Sequence, residues 1–403
     1  MTGDAPAARP SVRGITRNVL ILGLVSALAD VSSEMVVPLL PAFLVSLGSG
    51  AEALGIVEGA ADATANLFKY LSGRWADRAR QLLPLAATGY AIASAVRPLL
   101  ALATAPWHVL AVRCTDRIGK GIRTSPRDKL LAASAAPERL AEAYSFHRGM
   151  DHLGAAIGPL VASALLLLWP GRLRLVFALA AVPGALAVAF LLAVRETPAR
   201  AGPLARASAP PGAPVLRPTR DARVPFRLLA AIFLFTLGNS TDALLLLRAH
   251  ELGVATPLLP VLWTVLHVVR AGTSWPLGRL ADRWGRRPAL AAGWAWYSAC
   301  YLAFAAASAA WHAWTLFAAY GLVAGLTEGT ERALVASAVP PERRGRALGV
   351  YNLVSGAGLL VASVTAGAIW DHASPAAALG LGALLAAAAA VVLVARPAAP
   401  QAA

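Results

Sequence analysis

Apolar residues in this chain come in long runs broken by short polar stretches, with little of the period-2 alternation of a half-buried strand. Twelve runs can be placed, at residues 18–47, 52–73, 82–104, 107–128, 145–169, 174–194, 227–249, 257–277, 288–308, 312–332, 347–370 and 375–395. Each is long enough to cross a hydrocarbon core of about 30 Å as a helix. The pattern predicts an all-α membrane protein of twelve transmembrane helices. Several breaks are so short that neighbouring spans must run antiparallel. Two stretches lack apolar periodicity. Residues 1–17 read as a cytoplasmic tail, and 195–226, rich in Pro, Ala and Arg, as a cytoplasmic linker. The linker divides the spans into two six-helix halves, 18–194 and 227–396, with a short tail at 397–403.

Composition agrees. Of 403 residues, 58% are hydrophobic and only 14% charged, and the mean hydropathy is +0.61. Soluble chains carry about a quarter charged residues. The formal charge of +15 could suggest nucleic acid, but its distribution excludes that reading. Segments 74–81, 195–227, 279–287 and 343–346 hold three, seven, four and three basic residues, and the alternate breaks hold none apart from Arg172 and Arg174. By the positive-inside rule both termini of this multi-pass protein are cytoplasmic. Cys114 and Cys300 fall inside spans and imply no disulfide framework. Six tryptophans near span ends (75, 107, 169, 275, 311 and 370) read as an interfacial belt.

The most polar stretch inside the apolar pattern is Arg113 to Asp128. Arg113, Asp116, Arg117, Lys120, Thr124 and Arg127 follow one another at steps of three or four, so they share one helix face. That face needs a water-filled cavity or partners on other helices. Two sets of carboxylates could meet it. Span 1 carries Asp30, Ser33 and Glu34; span 2 carries Glu58, Asp62, Asn66, Lys69 and Gly73 on one face. A carboxylate taken out of water beside like charge can load and release a proton near neutral pH, which would make these a proton or cation site. The structural alternative is a set of ion pairs with the arginines of spans 3 and 4. The second half offers Asp242 in span 7, His267 and Arg270 in span 8, and Glu328 and Glu331 in span 10. His147, Asp151 and His152 could suggest a metal, but a gate network fits their spacing better, and no metal or cofactor is expected. No nucleophile triad or nucleotide loop is present, so no enzymatic activity is expected.

The two halves also repeat. Gly73 to Arg78 matches Gly278 to Arg283 at an offset of 205, and Ala132 to Arg139 matches Ala336 to Arg343 at 204. With these residues in view, the chain resembles the major facilitator superfamily over its whole length. The second copy carries that family's Gly-x-x-x-Asp-Arg-x-Gly-Arg-Arg loop in full, at Gly278, Asp282, Arg283, Gly285, Arg286 and Arg287. The first keeps Gly73, Asp77 and Arg78 but has Arg80 and Gln81 where Gly and Arg are expected. Gly154-x-x-x-Gly158-Pro159 is similar to a pattern associated with antiporters. Asp30 to Met35, Gly119 to Asp128, Phe146 to Asp151 and Leu237 to Asp242 resemble a prokaryotic subgroup without a settled substrate.

The resemblance implies a transporter of a prokaryotic inner membrane whose halves rock about a midplane cavity, with Arg113 and Arg117 the nearest candidates to neutralise Asp30 and Glu34. It implies a cytoplasmic gate in which Asp77 and Asp282 each hold the opposite half, with Arg127, Asp128 and Glu331 on facing helices. The expected function is proton-coupled export of a small solute by antiport, by a monomer. The alternatives are an uptake symporter, or a non-transporting or lipid-handling protein on the same fold.

Overall fold

A computed structural model describes residues 16–135, 140–196, 225–339 and 344–395. The cytoplasmic tails expected at 1–17 and 397–403, and most of the linker at 195–226, lie outside the described residues. What is described is all helical, with no strand among these residues.

The first half holds α1 (Arg17–Glu34), α2 (Leu40–Ser46), α3 (Ala51–Arg78), α4 (Leu83–Val96), α5 (Pro106–Ala133), α6 (Leu140–Leu168), α7 (Leu173–Leu179) and α8 (Ala181–Leu191). The second holds α9 (Phe226–Gly238), α10 (Asp242–Glu251), α11 (Leu259–Trp284), α12 (Arg286–Ala306), α13 (Ala310–Ser337), α14 (Arg344–His372) and α15 (Pro375–Val394). Eight helical stretches are long and apolar enough to cross a membrane, among them Arg17–Ser46, Phe226–Glu251 and Pro375–Val394. Helices α3, α5, α11 and α13 are longer than most of these, at 26 to 28 residues, but too polar to count by composition. Their polar faces build the site.

Two stretches expected as single helices are broken at matching places. Helix α1 ends at Glu34, and Pro38 and Pro41 restart the chain through a 3-10 turn into α2. Helix α9 ends at Gly238, and Thr241 caps α10 by accepting the amide of Ala243 at 3.3 Å. At the repeat offset of 205, Asn239 stands where Glu34 does. A broken helix frees backbone groups beside a cavity, which is where such breaks are tolerated in membrane proteins.

The repeat extends to details. His108 Nδ1 accepts the amides of Thr104 and Ala105 at the start of α5, and His312 Nδ1 accepts those of Ser308 and Ala309 at the start of α13. Each histidine lies against the tryptophan before it, Trp107 or Trp311, both exposed as a membrane-interface belt requires. Trp370 departs from the expected belt. It is buried, and its indole donates to Glu251 at 2.9 Å.

The two copies of the loop motif diverge for a visible reason. In the second copy a single residue, Gly285 at φ +94°, separates α11 from α12. That left-handed conformation favours glycine. Arg80 occupies the matching place in the first copy, and there the chain takes four residues, Ala79 to Leu82, to turn. Glu196 holds that longer loop by accepting the amides of Leu82 and Leu83 at 2.6 and 2.9 Å. Helix α5 runs through Pro126 to Ala133, further than the expected end at 128. Arg174, an exception to the charge asymmetry, donates to the carbonyl of Ala101 at 2.7 Å and lies over the ring of Phe43.

The halves pack most closely at one end. Helix α3 packs along α14, and α6 along α11. Near the start of α3 the approach is so close that a Cβ on Gly55 would lie 2.1 Å from the carbonyl oxygen of Ser363, and one on Gly367 would lie 2.4 Å from that of Ala51. Asp371, near the end of α14, accepts the amides of Ala51 and Glu52 at 2.9 and 2.8 Å. Helix α3 has no capping side chain of its own, so the other half supplies one. At the opposite end, Gly149, Gly272, Gly278 and Gly329 have nothing within 4 Å of where a Cβ would sit. The large apolar cluster runs through the second half into the joined end of the first, through Phe43, Leu54 and Val109. A smaller cluster around Leu22, Leu130 and Leu191 fills the other end of the first half alone.

Gly55→Val should therefore force α3 and α14 apart. In a variant lacking Cys114 and Cys300, a cysteine placed at the buried Ala51 should react with maleimide much faster when Gly55→Val is present. Equal labelling rates would show that the glycine contact does not close this end.

Candidate functional site

Helices α3 and α5 lie side by side, with Gly121 close against Phe68 and the carbonyl of Ala65. They run in the same direction, so their polar faces meet as a ladder. The first rung is Glu58 with Arg113, a two-pronged ion pair at 2.8 and 2.7 Å, both side chains almost wholly buried. The second is Asp62 with Arg117, looser at 3.9 Å. On the third, Asn66 takes the α3 position and Lys120 the α5 position. Behind the ladder, Arg97 donates to Asp116 at 2.7 Å and to the carbonyl of Ala29 at 3.1 Å. Asp116 also lies 3.6 Å from Arg113 and 3.9 Å from Arg117, which ties α1, α4 and α5 together.

The pairing differs from the expected one. Arg113 is taken by Glu58, so it does not neutralise Asp30 or Glu34. Asp30 sits 3.6 Å from Arg123, whose guanidinium lies over the ring of Tyr90. Glu34 accepts a hydrogen bond from the indole of Trp263 at 2.8 Å, across the two halves. Gly154 and Gly158 make this possible. A Cβ on either would lie 2.4 to 2.6 Å from a carbonyl oxygen of α1, so their absence of side chain lets α6 close on the helix that carries Glu34.

The second half answers with a smaller constellation. Asp242, at the start of α10, accepts from Arg270 at 2.7 Å and from the hydroxyl of Tyr320 at 2.6 Å. His267 packs edge-on against Trp263, and its Nε2 is buried without a hydrogen-bond partner, as is Nε of Arg117. Glu331, expected at the gate, is buried instead. It accepts from the indole of Trp294 at 3.0 Å and the hydroxyl of Tyr351 at 2.8 Å.

Two adjoining cavities separate the halves. One, of about 240 Å³, is lined by Glu34, Asp62, Arg117, Asp242, Trp263 and His267. The other, of about 260 Å³, is lined by Asn66, Phe235, Arg270, Tyr297, Tyr320, Glu328, Glu331, Arg332 and Tyr351. Asn239, Asp242 and Leu359 face both. Of the residues expected at the cavity, Glu34, Glu58, Asp62, Arg117, Asp242, His267 and Arg270 line these two spaces, while Asp30, Arg113 and Asp116 line neither and are held in ion pairs. Among the described residues no group of three or more His, Cys, Asp and Glu side chains could hold a metal ion.

The residues expected at the gate are spread out. Asp77 pairs with Lys129 of its own half at 2.5 Å, rather than across the halves, because the bundle is open at that end. Arg127 pairs with its neighbour Asp128 at 2.8 Å and reaches Ser26, which also donates to Asp151 beside His147. Gly73 lies near Ser125, and Gly278 faces open space. Arg78, Arg283 and Arg286 are exposed, while the side chain of Asp282 lies outside the described residues. The sequence reading missed Arg97, Trp263, Trp294, Tyr320 and Tyr351 as partners of the charged groups. Arg97 had a signal, an arginine within an apolar run just before Pro98.

The sequence model of the Major Facilitator Superfamily matches residues 22–330 and 228–403. The chain belongs to the major facilitator superfamily. An MFS-type transporter of Methanocaldococcus jannaschii, itself uncharacterized, is 30% identical over 369 residues, covering 89% of each chain. A protein of Mycobacterium tuberculosis is 29% identical over 90% of this chain and 88% of its own. Among solved structures, a POT peptide transporter in complex with alafosfalin superposes with a TM-score of 0.78 at 14% identity, over 96% of both chains. A bacterial homologue of the lysosomal transporter Spinster, inward-facing and unoccupied, gives 0.70 at 17% identity over 95% of both. At these identities the structural likeness is one of fold. The chain is therefore a multi-pass membrane protein of a transporter family.

Removing one partner of a buried ion pair strands the other, at about 3–5 kcal/mol. Glu58→Gln should lower the melting temperature of the detergent-purified protein sharply. Replacing the pair together, Glu58→Leu with Arg113→Met, should recover most of the loss. If the single variant melts like the wild type, the first rung is not a structural anchor.

Proposed function

We propose that the chain is a proton-coupled secondary transporter of a small solute in a prokaryotic inner membrane, working by alternating access as a monomer. All twelve helical units would cross the bilayer. A helix of 26 to 28 residues, the length of α3, α5, α11 and α13, spans about 40 Å, more than the hydrocarbon core needs. Their polar residues face the cavities and one another. With both termini cytoplasmic, the joined end is periplasmic and the cavities open inward.

The observation that carries the reading is the bond from Trp263 to Glu34. It joins the two halves at the wall of a cavity. An ionised carboxylate accepts such a bond with roughly twice the strength of a neutral one. A proton arriving on Glu34 therefore weakens a link between the halves, and its departure restores the link. That couples proton movement to the opening of the bundle without a separate energy source. Export by antiport is favoured by Gly154 and Gly158, whose packing sets the helix that bears Glu34 against α6.

Two experiments test this. A solute that dissipates the pH gradient across vesicles holding the wild-type chain should fail to do so with Glu34→Gln, while still raising that variant's melting temperature. Unchanged dissipation moves the proton site elsewhere, with Asp62 next in line because Glu58 is held by Arg113. For orientation, a periplasm-active reporter fused at Pro210 should stay silent; a signal there would reverse the topology.

A further inference from the structure

Spans rich in both acids and bases leave the substrate's charge open at the level of sequence. The pairing in the structure divides them unequally. Glu58, Asp116 and Asp242 each have an arginine at 2.7 Å, and Glu331 has two neutral donors. Glu34 has the indole of Trp263. The cations are less well matched. Lys120 has no ion pair among the described residues, and the Lys69 ammonium donates to the amide oxygen of Asn66 at 3.4 Å. Arg117 is buried, with its nearest carboxylates 3.9 Å away and its Nε unpartnered.

Lys69 lies within electrostatic reach of Lys120, Arg117 and Arg332, with Asp62 the one carboxylate among its main neighbours. Asp30 and Glu34 lie within reach of Lys120, each with the partner already described. Arg332 lines the same cavity as Asn66 and comes from the opposite half. The ladder explains the vacancy. Its first two rungs match a carboxylate of α3 with an arginine of α5. At the third, Asn66 faces the Lys120 position, and Lys69 adds a second ammonium. Glu328, on the far wall of that cavity, lies one turn before Arg332 and can balance only one of these charges.

We propose that this third rung is a substrate subsite for an anionic group, a carboxylate or phosphate monoester, held by Lys69, Lys120 and Arg332. Asn66 donates its amide hydrogens to the same anion. The wall beside it is aromatic, with Tyr297, Tyr320, Phe235 and Tyr351 lining the cavity that Asn66 and Arg332 share. The substrate is then a small organic anion with an aromatic or apolar body. Because Arg332 and the lysines belong to different halves, the bound anion bridges them and draws the open end together. The inference rests on the transporter reading but is tested without a gradient, so failure of the proton site at Glu34 leaves it standing, and the reverse.

The test uses the detergent-purified full chain and four probes of similar body: phenyl phosphate, benzoate, benzyl alcohol and benzylamine. At least one of the two anions should raise the melting temperature saturably, and which one does separates phosphate from carboxylate. The alcohol and the amine should not. Lys69→Gln and Lys120→Gln should each weaken that response about tenfold or more, the size of one lost hydrogen bond to a charged group. Lys120→Gln should also melt no lower than the wild type without ligand, since it removes a cation crowded by its own kind. The proposal is overturned if benzylamine stabilises and neither anion does, if the lysine variants respond like the wild type, or if ligand-free Lys120→Gln is destabilised as a broken ion pair would be.

Discussion

The ion pair of Glu58 with Arg113 is the constraint around which the first half is arranged. Two charges that deep are tolerable only if each satisfies the other, and the two-pronged geometry fixes α3 against α5 in rotation as well as distance. Everything further along those helices inherits that register. Asp62 falls opposite Arg117, Asn66 falls at the level of Lys120, and Asp116 turns back toward Arg97. The arrangement grades from a closed pair, through a loose one, to charges without partners. It runs from the joined end of the bundle toward the open one. Structure and reactivity therefore lie along a single face, and distance from Glu58 separates one from the other.

The second half is built on a different principle. Its carboxylates Asp242 and Glu331 are held largely by hydroxyl and indole donors, from Tyr320, Tyr351 and Trp294. The tyrosines Tyr297, Tyr301 and Tyr320 stack beside them. Neutral donors fix a side chain with less Coulombic penalty when the neighbouring helices shift. A charged ladder in one half and an aromatic wall in the other give the cavity a polar face and an apolar face. A substrate with one charged end can be oriented between them.

Much of the fold was legible because membrane burial writes itself into run length. The all-helical character and the repeat could be read from apolar runs and motif spacing. The breaks in the first and seventh stretches were less visible, because Pro38, Pro41 and Gly238 interrupt runs that stay apolar on both sides. The site was legible as a set of residues and illegible as a set of pairs. Helical spacing put Glu58 and Asp62 on one face and Arg113 and Arg117 on another, but which carboxylate meets which arginine depends on how two helices are rotated and how deep each sits. Glu34 found Trp263 because α6 closes on α1 through Gly154 and Gly158 and also packs along α11, and no spacing within span 1 carries that information. Asp77 meets Lys129 for the same reason, since no spacing within α3 says which cation of α5 lies at its level.

The clamp at the joined end has a character of its own. Asp371 sits near the end of its own helix, where the α14 dipole disfavours a negative charge, and it is relieved by the amides that begin α3. Its partners are backbone groups, so the link does not depend on which side chains occupy positions 51 and 52. A substitution at the partly exposed Glu52 leaves these two bonds in place, provided Gly50 keeps the carboxylate's path open, whereas Ala51 is wholly buried. A comparison of related chains for pairs of positions that change together would pass over this contact, although it is one of the strongest ties between the halves. The coupling is written on one side only, in a single carboxylate, while the other side is the start of a helix, which any sequence that folds will provide.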